Sequence, residues 1–175
     1  GMQPSVSLSY SSRAGNGIAG MGWSLSGLSS LHRCPMTLAQ DGQIRAVQLD
    51  AGDRLCLDGQ RLIATSGAYG AVGTTYGTEM ESFARVTQLG GDLTSNVSYF
   101  KVERKSGEVA WYGGLNTGPF AARVIPGGAS VPLSWMVRRI DDRVGNNIDY
   151  TYIGYGDGET VVDAIYYTGY NGAMG

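Results

Sequence analysis

Lysine is nearly missing from this chain. Two of its 175 residues are lysine, Lys101 and Lys105, and its 13 basic side chains are outnumbered by 15 acidic ones. The formal net charge is −2, with no basic block anywhere along the sequence. Duplex or single-strand nucleic-acid binding therefore has no electrostatic footprint to rest on. Long apolar runs are also missing. None approaches the roughly 20 residues that a bilayer-spanning helix needs, and no membrane role is expected of the chain by itself. No signal-peptide pattern is visible, but Gly1-Met2 reads as a cloning remnant, and the chain reads as an excised piece of a longer protein. Histidine occurs once, at His32, and cysteine twice, at Cys34 and Cys56. Three such groups fall short of a four-ligand zinc set. Stretches of helical periodicity are nearly absent, so no helix is assigned.

Glycine is what the chain has in abundance, at 28 of 175 residues, about twice the average usage of roughly 7%. The glycines separate short runs with period-2 alternation of apolar and polar residues, the pattern of β-strands with many turns. Val6, Leu8 and Tyr10 alternate with Ser5, Ser7 and Ser9 and predict a half-buried strand with a serine face. "RLCLDGQRLIA" predicts a hairpin whose Asp58-Gly59 pair supplies the positive φ angles of a two-residue type I′ turn. In "SYFKVERKSGEVAWYGG", Phe100 and Val102 lead to a turn at Lys105-Ser106-Gly107, and Val109 and Trp111 return. In "LSWMVRRIDDRVGNNIDYTYIGYG", Trp135 and Val137 go up, residues 143–147 turn, and Ile148, Tyr150 and Tyr152 come back. "TVVDAIYYTGY" is a strand without an evident partner. The fold class is thus all-β: antiparallel hairpins and a meander in a sheet or sandwich-like arrangement, with little or no helix. Residues 1–175 form a single domain of a size that can bury roughly 70% of its unfolded surface.

Several short stretches invite a chemical reading, and each has a plainer one. Gly15-Asn16-Gly17-Ile18-Ala19-Gly20 matches G-x-G-x-x-G, the dinucleotide fingerprint. That loop works only when a helix follows it, because the helix N-terminus holds the pyrophosphate. Here Met21-Gly22-Trp23-Ser24-Leu25 follows, which cannot start a stable helix. Gly15, Gly17, Gly20 and Gly22 are instead expected to let the first strand turn sharply, so that Trp23 and Leu25 enter the core. Glu79 and Glu81 form an E-x-E pair that would share one face of a strand, as in ADP-ribosyltransferases. The upstream arginine and the serine-threonine-serine strand of that motif are missing, and a solvated strand face accounts for the pair. His32 and Cys34 suggest a Cys–His nucleophile, but no orienting group supports one. Cys34 and Cys56 are either joined, closing a loop of about 22 residues worth some 3 kcal/mol, or buried as free thiols, with thiols slightly favoured. The acidic turns "DAGD" (50–53) and "GDGE" (156–159) lack calcium-loop spacing. The tyrosines at 150, 152, 155, 166, 167 and 170 suit either a carbohydrate-binding surface or, more simply, strand packing. No catalytic set, metal site or cofactor site follows from these residues.

The order of motifs carries a resemblance. "PSVSLSYSS" followed by "GNGIAGMGWSLSGLSSLHRCP" resembles the opening of the SpvB-like N-terminal domain. That domain begins the B components of bacterial insecticidal toxin complexes and related Rhs (YD-repeat) proteins. The resemblance continues through "DRLCLDGQRLIA", "EMESFARVTQLGG", "YFKVERKSGEVAWYGG", "WMVRRIDDRVGNNIDYTY" and "VDAIYYTGY", and is weakest over 114–131. It implies a secreted, non-enzymatic structural segment of a virulence protein. Such a segment forms part of a hollow β-shell that encloses or helps deliver a toxic C-terminal region. The implied partners are other parts of the parent protein, an Rhs-repeat C component and a pore-forming A component. No cofactor and no catalytic residue is carried over. The residues expected to matter are structural: Gly15, Gly17, Gly20, Gly22, Trp23, Cys34, Cys56, Asp58 and Gly59. Exposed strand edges in such a piece are expected to favour self-association. The alternative is a carbohydrate- or surface-binding adhesion module. An enzyme built on Glu79 and Glu81 is the most distant reading.

Overall fold

A computed structural model describes residues 2–12, 16–17, 20–21, 23–78, 84–114, 122–154 and 160–173. In chain order its strands are β1 (Ser7–Tyr10), β2 (Asn16–Gly17), β3 (Gly20–Met21), β4 (Trp23–Ser26), β5 (Ser30–Cys34), β6 (Arg54–Leu57), β7 (Gln60–Ser66) and β8 (Thr75–Thr78). They continue as β9 (Ala84–Leu89), β10 (Tyr99–Arg104), β11 (Val109–Tyr112), β12 (Arg123–Val124), β13 (Ser134–Asp141), β14 (Asn146–Gly154) and β15 (Thr160–Tyr170). A one-turn helix, α1 (Leu38–Asp41), lies between β5 and β6. Thr37 caps it, its hydroxyl accepting from the Gln40 amide at 3.3 Å. The sequence assigned no helix, since four residues carry too little periodicity to register.

Strands β5 to β11 pair each with the next, all antiparallel. β13 then bonds β11 on one side and β5 on the other, which closes eight strands into a barrel. A closed barrel of this size has an interior that side chains fill. The alternation seen in the sequence supplies them. Phe100 and Val102 of β10 face Tyr112 and Ala110 of β11 and Val86 of β9, and all five are buried. Trp135 packs edge-to-face on Phe100 with ring centroids 4.9 Å apart, and its indole N–H donates to the Ser98 carbonyl at 2.9 Å. The partners that β11 contributes to the core are therefore Ala110 and Tyr112. Val109 and Trp111, the expected returning pair, lie on the outer side and are only half-buried.

The Asp58-Gly59 hairpin forms as expected, with φ of 49° and 82° at the two positions. The turn expected over 143–147 forms at 142–145, with Asn146 and Asn147 already in β14, and Ile148, Tyr150 and Tyr152 return into the core. Two expectations fail. β15 has a partner: it pairs along its length with β14, and residues 155–159 between them lie outside the described residues. β1 is not half-buried. It pairs with β4 in a separate two-stranded ribbon, where Leu8 and Tyr10 are 57% and 61% exposed. A two-stranded ribbon has no second layer to cover its apolar face. β13 carries the branch point of the fold. One edge pairs β5 at residues 134–136 and β14 at residues 139–141, so the barrel and the β14–β15 hairpin share one strand.

Candidate functional site

The expected structural residues fall into three places. In the glycine stretch, β2 and β3 pair Gly17 with Gly20 and Asn16 with Met21, and the chain reverses so that β4 runs back along β1. Strands follow the G-x-G-x-x-G match, as the sequence reading required. Gly15 and Gly22 lie outside the described residues. Trp23 sits opposite Tyr10 in the ribbon, and Leu25 opposite Leu8; Leu25 is half-buried and is not part of the barrel core. The expected entry of Leu25 into the core does not occur, because the reversal returns the chain to its own first strand.

Cys34 and Cys56 form a disulfide between adjacent strands β5 and β6, with Cα atoms 5.9 Å apart. The favoured free-thiol reading is thus corrected. Sequence distance hid that the β5–β6 register brings the two positions together. The Cys34 sulfur is taken up by this bond, which also removes it as a nucleophile beside His32. The bond lies on the outer face of the barrel, beside a charged cluster under α1. There the Arg61 guanidinium holds both oxygens of Asp41, at 2.9 Å each, and Arg54 adds a bond at 3.1 Å. The Arg61 bonds hold the Asp41 carboxyl down at about 2. A hollow of about 340 Å³ adjoins this cluster, but its arginines are already engaged by Asp41.

The Asp58 carboxylate does more than make a turn. It accepts from the Ser29 hydroxyl at 2.6 Å and the Ser30 amide at 2.8 Å, fastening the β6–β7 turn to the start of β5. Sequence reasoning missed Arg33 entirely. Its side chain is fully buried and donates to Asp53 at 2.9 Å, to the Pro132 carbonyl at 2.7 Å, to the Asp50 carbonyl at 2.8 Å and to the Leu93 carbonyl. It thereby ties three loops to one end of the barrel. Alternation was the available signal, since Arg33 falls in phase with Leu31 on the inward side of β5. Asp53 and Asp50, in the "DAGD" turn, accept from arginines Arg33 and Arg45. Glu79 and Glu81, and the "GDGE" turn, lie outside the described residues. Among the described residues no group of three or more His, Cys, Asp or Glu side chains is placed to hold a metal ion.

At the β11–β13 seam, strands β11 and β13 and the turn after β15 border a cleft of about 350 Å³. Trp111 and Tyr99 form its aromatic part, and Arg138, Arg139, Asp141 and Asn171 its polar part. The Trp111 indole N–H donates to Asp141 Oδ2 at 3.1 Å, and Arg139 Nε donates to Asp141 Oδ1 at 2.8 Å.

With this geometry in hand, the family model for the Salmonella virulence plasmid 65kDa B protein, SpvB, matches residues 1–164. The chain belongs to the SpvB family. Several solved structures share the fold of this SpvB-family chain. The N-terminal domain of effector protein SpvB from Salmonella typhimurium strain LT2 is 21% identical with a TM-score of 0.71, over 95% of this chain and 59% of that one. The crystal structure of TcdB2-TccC3 is 17% identical with a TM-score of 0.71, over 95% of this chain and 9% of that one. The Photorhabdus luminescens Tc holotoxin pore is 18% identical with a TM-score of 0.69, over 94% of this chain and 8% of that one. The SpvB-family chain thus spans about three fifths of the first of these and under a tenth of the other two. No curated protein matches it by sequence.

Proposed function

We propose that this chain is a non-catalytic structural domain of a larger, secreted bacterial toxin protein of the toxin-complex or Rhs type. In this reading it contributes to the β-shell that encloses or helps deliver a toxic C-terminal region. The observation that carries the proposal is the match of nearly the whole chain to short portions of much longer Tc toxin assemblies. The architecture suits the role. A barrel filled by its own side chains offers rigidity and no internal chamber, and the forked β13 extends it by a long hairpin whose Ile148, Tyr150 and Tyr152 share its core. A wall of this kind needs hydrogen-bonded strands that continue into neighbours, and the outer edge of β15 has no strand partner among the described residues. Within this reading Gly15, Gly17, Gly20, Gly22 and Trp23 shape the fold, and the partners are other parts of the parent protein together with its pore-forming and Rhs-repeat components.

The test is limited proteolysis of the full-length parent protein with and without residues 1–175. Protection of the C-terminal region should be lost on deletion. Unchanged protection, or a coding sequence that stops soon after residue 175, would overturn the proposal. Purified chain incubated with NAD should release no nicotinamide; release that is abolished by Glu81→Gln would replace the structural reading with an enzymatic one.

A further inference from the structure

The cleft at Trp111 has the makings of a binding site, and nothing in the shell role uses it. Its position follows from an irregularity in the barrel seam. Trp111 pairs with Arg139, but the next residue, Tyr112, pairs with Val137, so β13 carries one extra residue, Arg138. In a regular strand Arg138 and Arg139 would point to opposite faces. The bulge re-aims the strand locally, and both arginines border the same cleft. Their duties differ. Arg139 is committed to Asp141 at 2.8 Å and to Asp149 at 3.5 Å, and it also donates to the Gly172 carbonyl at 3.3 Å. The Arg138 guanidinium makes no hydrogen bond or ion pair among the described residues, and neither does the Asn171 side-chain amide. Asp141 accepts one bond on each oxygen, from Trp111 and from Arg139, which orients the indole ring. Lys101 stands over that ring at 5.6 Å and does not line the cleft.

The cleft therefore combines the Trp111 indole, held in place by Asp141, with the uncommitted Arg138 guanidinium, and Tyr99 and Asn171 complete its border, in a volume of about 350 Å³. Apolar walls with a few convergent polar groups are the general make-up of a small-ligand site. An aromatic ring offers a flat surface to the C–H face of a pyranose, an amide matches its hydroxyls, and a free guanidinium forks onto a carboxylate. We propose that this cleft binds a carboxylated pyranose, a sugar of the uronic-acid class, with its ring against Trp111 and its carboxylate on Arg138. This goes beyond the shell role and does not depend on it, since either can fail alone.

The test is titration of the 175-residue chain with methyl β-glucuronide into the millimolar range, read as the NMR shift of the Trp111 indole N–H. Methyl β-glucoside and acetate are the comparison ligands. Saturable shifts with the glucuronide are expected, weakened about tenfold or more in Arg138→Ala. Arg143→Ala, which removes an exposed arginine on the neighbouring turn, should leave binding unchanged. A matching thermal melt shows that each variant is folded, and Arg138→Gln replaces Arg138→Ala if the latter is not. No shift with the glucuronide, equal binding of the glucoside or of acetate, or equal weakening by Arg143→Ala would each overturn the proposal.

Discussion

At the scale of single residues, the charged side chains inside this barrel decide more than those on its surface. Arg33 sits with no exposed side-chain area and bonds to Asp53 and to three carbonyls. Removing one partner of such a pair leaves the other charge buried and uncompensated, which costs about 3–5 kcal/mol. Arg33→Ala should therefore lower the urea midpoint sharply or prevent folding. Arg33→Lys should rescue little, because an ammonium cannot reach four acceptors in a planar fork. Asp41 gives a pH signature. Its folded carboxyl titrates at about 2, held down first by the bonds from Arg61, against an ordinary value of 3.8. A depressed carboxyl contributes stability that is present above its unfolded value and lost as pH falls through its folded one. Melting temperature should thus drop between about pH 4 and pH 2, and Asp41→Asn should flatten that part of the profile. At the other end of the scale, burial pushes the Tyr76 phenol up to about 12 and Tyr152 upward as well. For these groups stability is full below the ordinary tyrosine range and lost as pH rises through the folded value. Absorbance titration should show tyrosines that ionise late, together with unfolding, above pH 10.

At the scale of elements, the turns set the register. Gly59 has φ of 82° with nothing near the position of an added Cβ, so Gly59→Ala should cost only the left-handed conformation, about 1–2 kcal/mol. Gly113 has φ of 78°, and a Cβ there would lie 2.8 Å from Trp135 Cδ1. Gly113→Ala should cost more, by the 1–3 kcal/mol typical of an overpacked core. Urea unfolding of the two variants side by side checks the order. The same contrast explains what could be read in advance. Asp58-Gly59 announces its hairpin because the turn type demands those residues locally. Trp135, Val137, Ile148, Tyr150 and Tyr152 announce theirs by alternation. The β1 alternation was equally clean, yet its apolar face found no second layer, because alternation states that a strand has two faces and not that one is covered. Arg33 was hidden by its type, since a charge in a strand is ordinarily read as outward. Alternation expects Trp111 only to return with Val109 in its hairpin, and the β13 bulge that sets Arg138 and Arg139 beside it leaves no mark in composition.

At the scale of the whole molecule, closure and branching are long-range facts that local pattern does not carry. The β11–β13 pairing joins segments already committed to their own hairpins, and it makes a barrel of what the sequence left as a sheet or a sandwich. The disulfide belongs to this scale as well. It spans 22 residues, and reduction should lower stability by about 3 kcal/mol, read as a fall in melting temperature with dithiothreitol that Cys34→Ser abolishes. The outer edge of β15, with Tyr166 and Tyr167 at 38% and 53% exposure, is the kind of edge that invites another strand. Light scattering of the chain should show dimers or larger species that grow with concentration; a monodisperse monomer across a wide range would refute this. The forked β13 has a mechanical corollary. Because one strand is both a stave of the barrel and the root of the β14–β15 hairpin, tension applied beyond residue 173 is borne by the barrel wall and not by a detachable arm. Stretched between its ends in an optical trap, the molecule should surrender the β1–β4 ribbon at low force and then give way in one rupture, barrel and hairpin together.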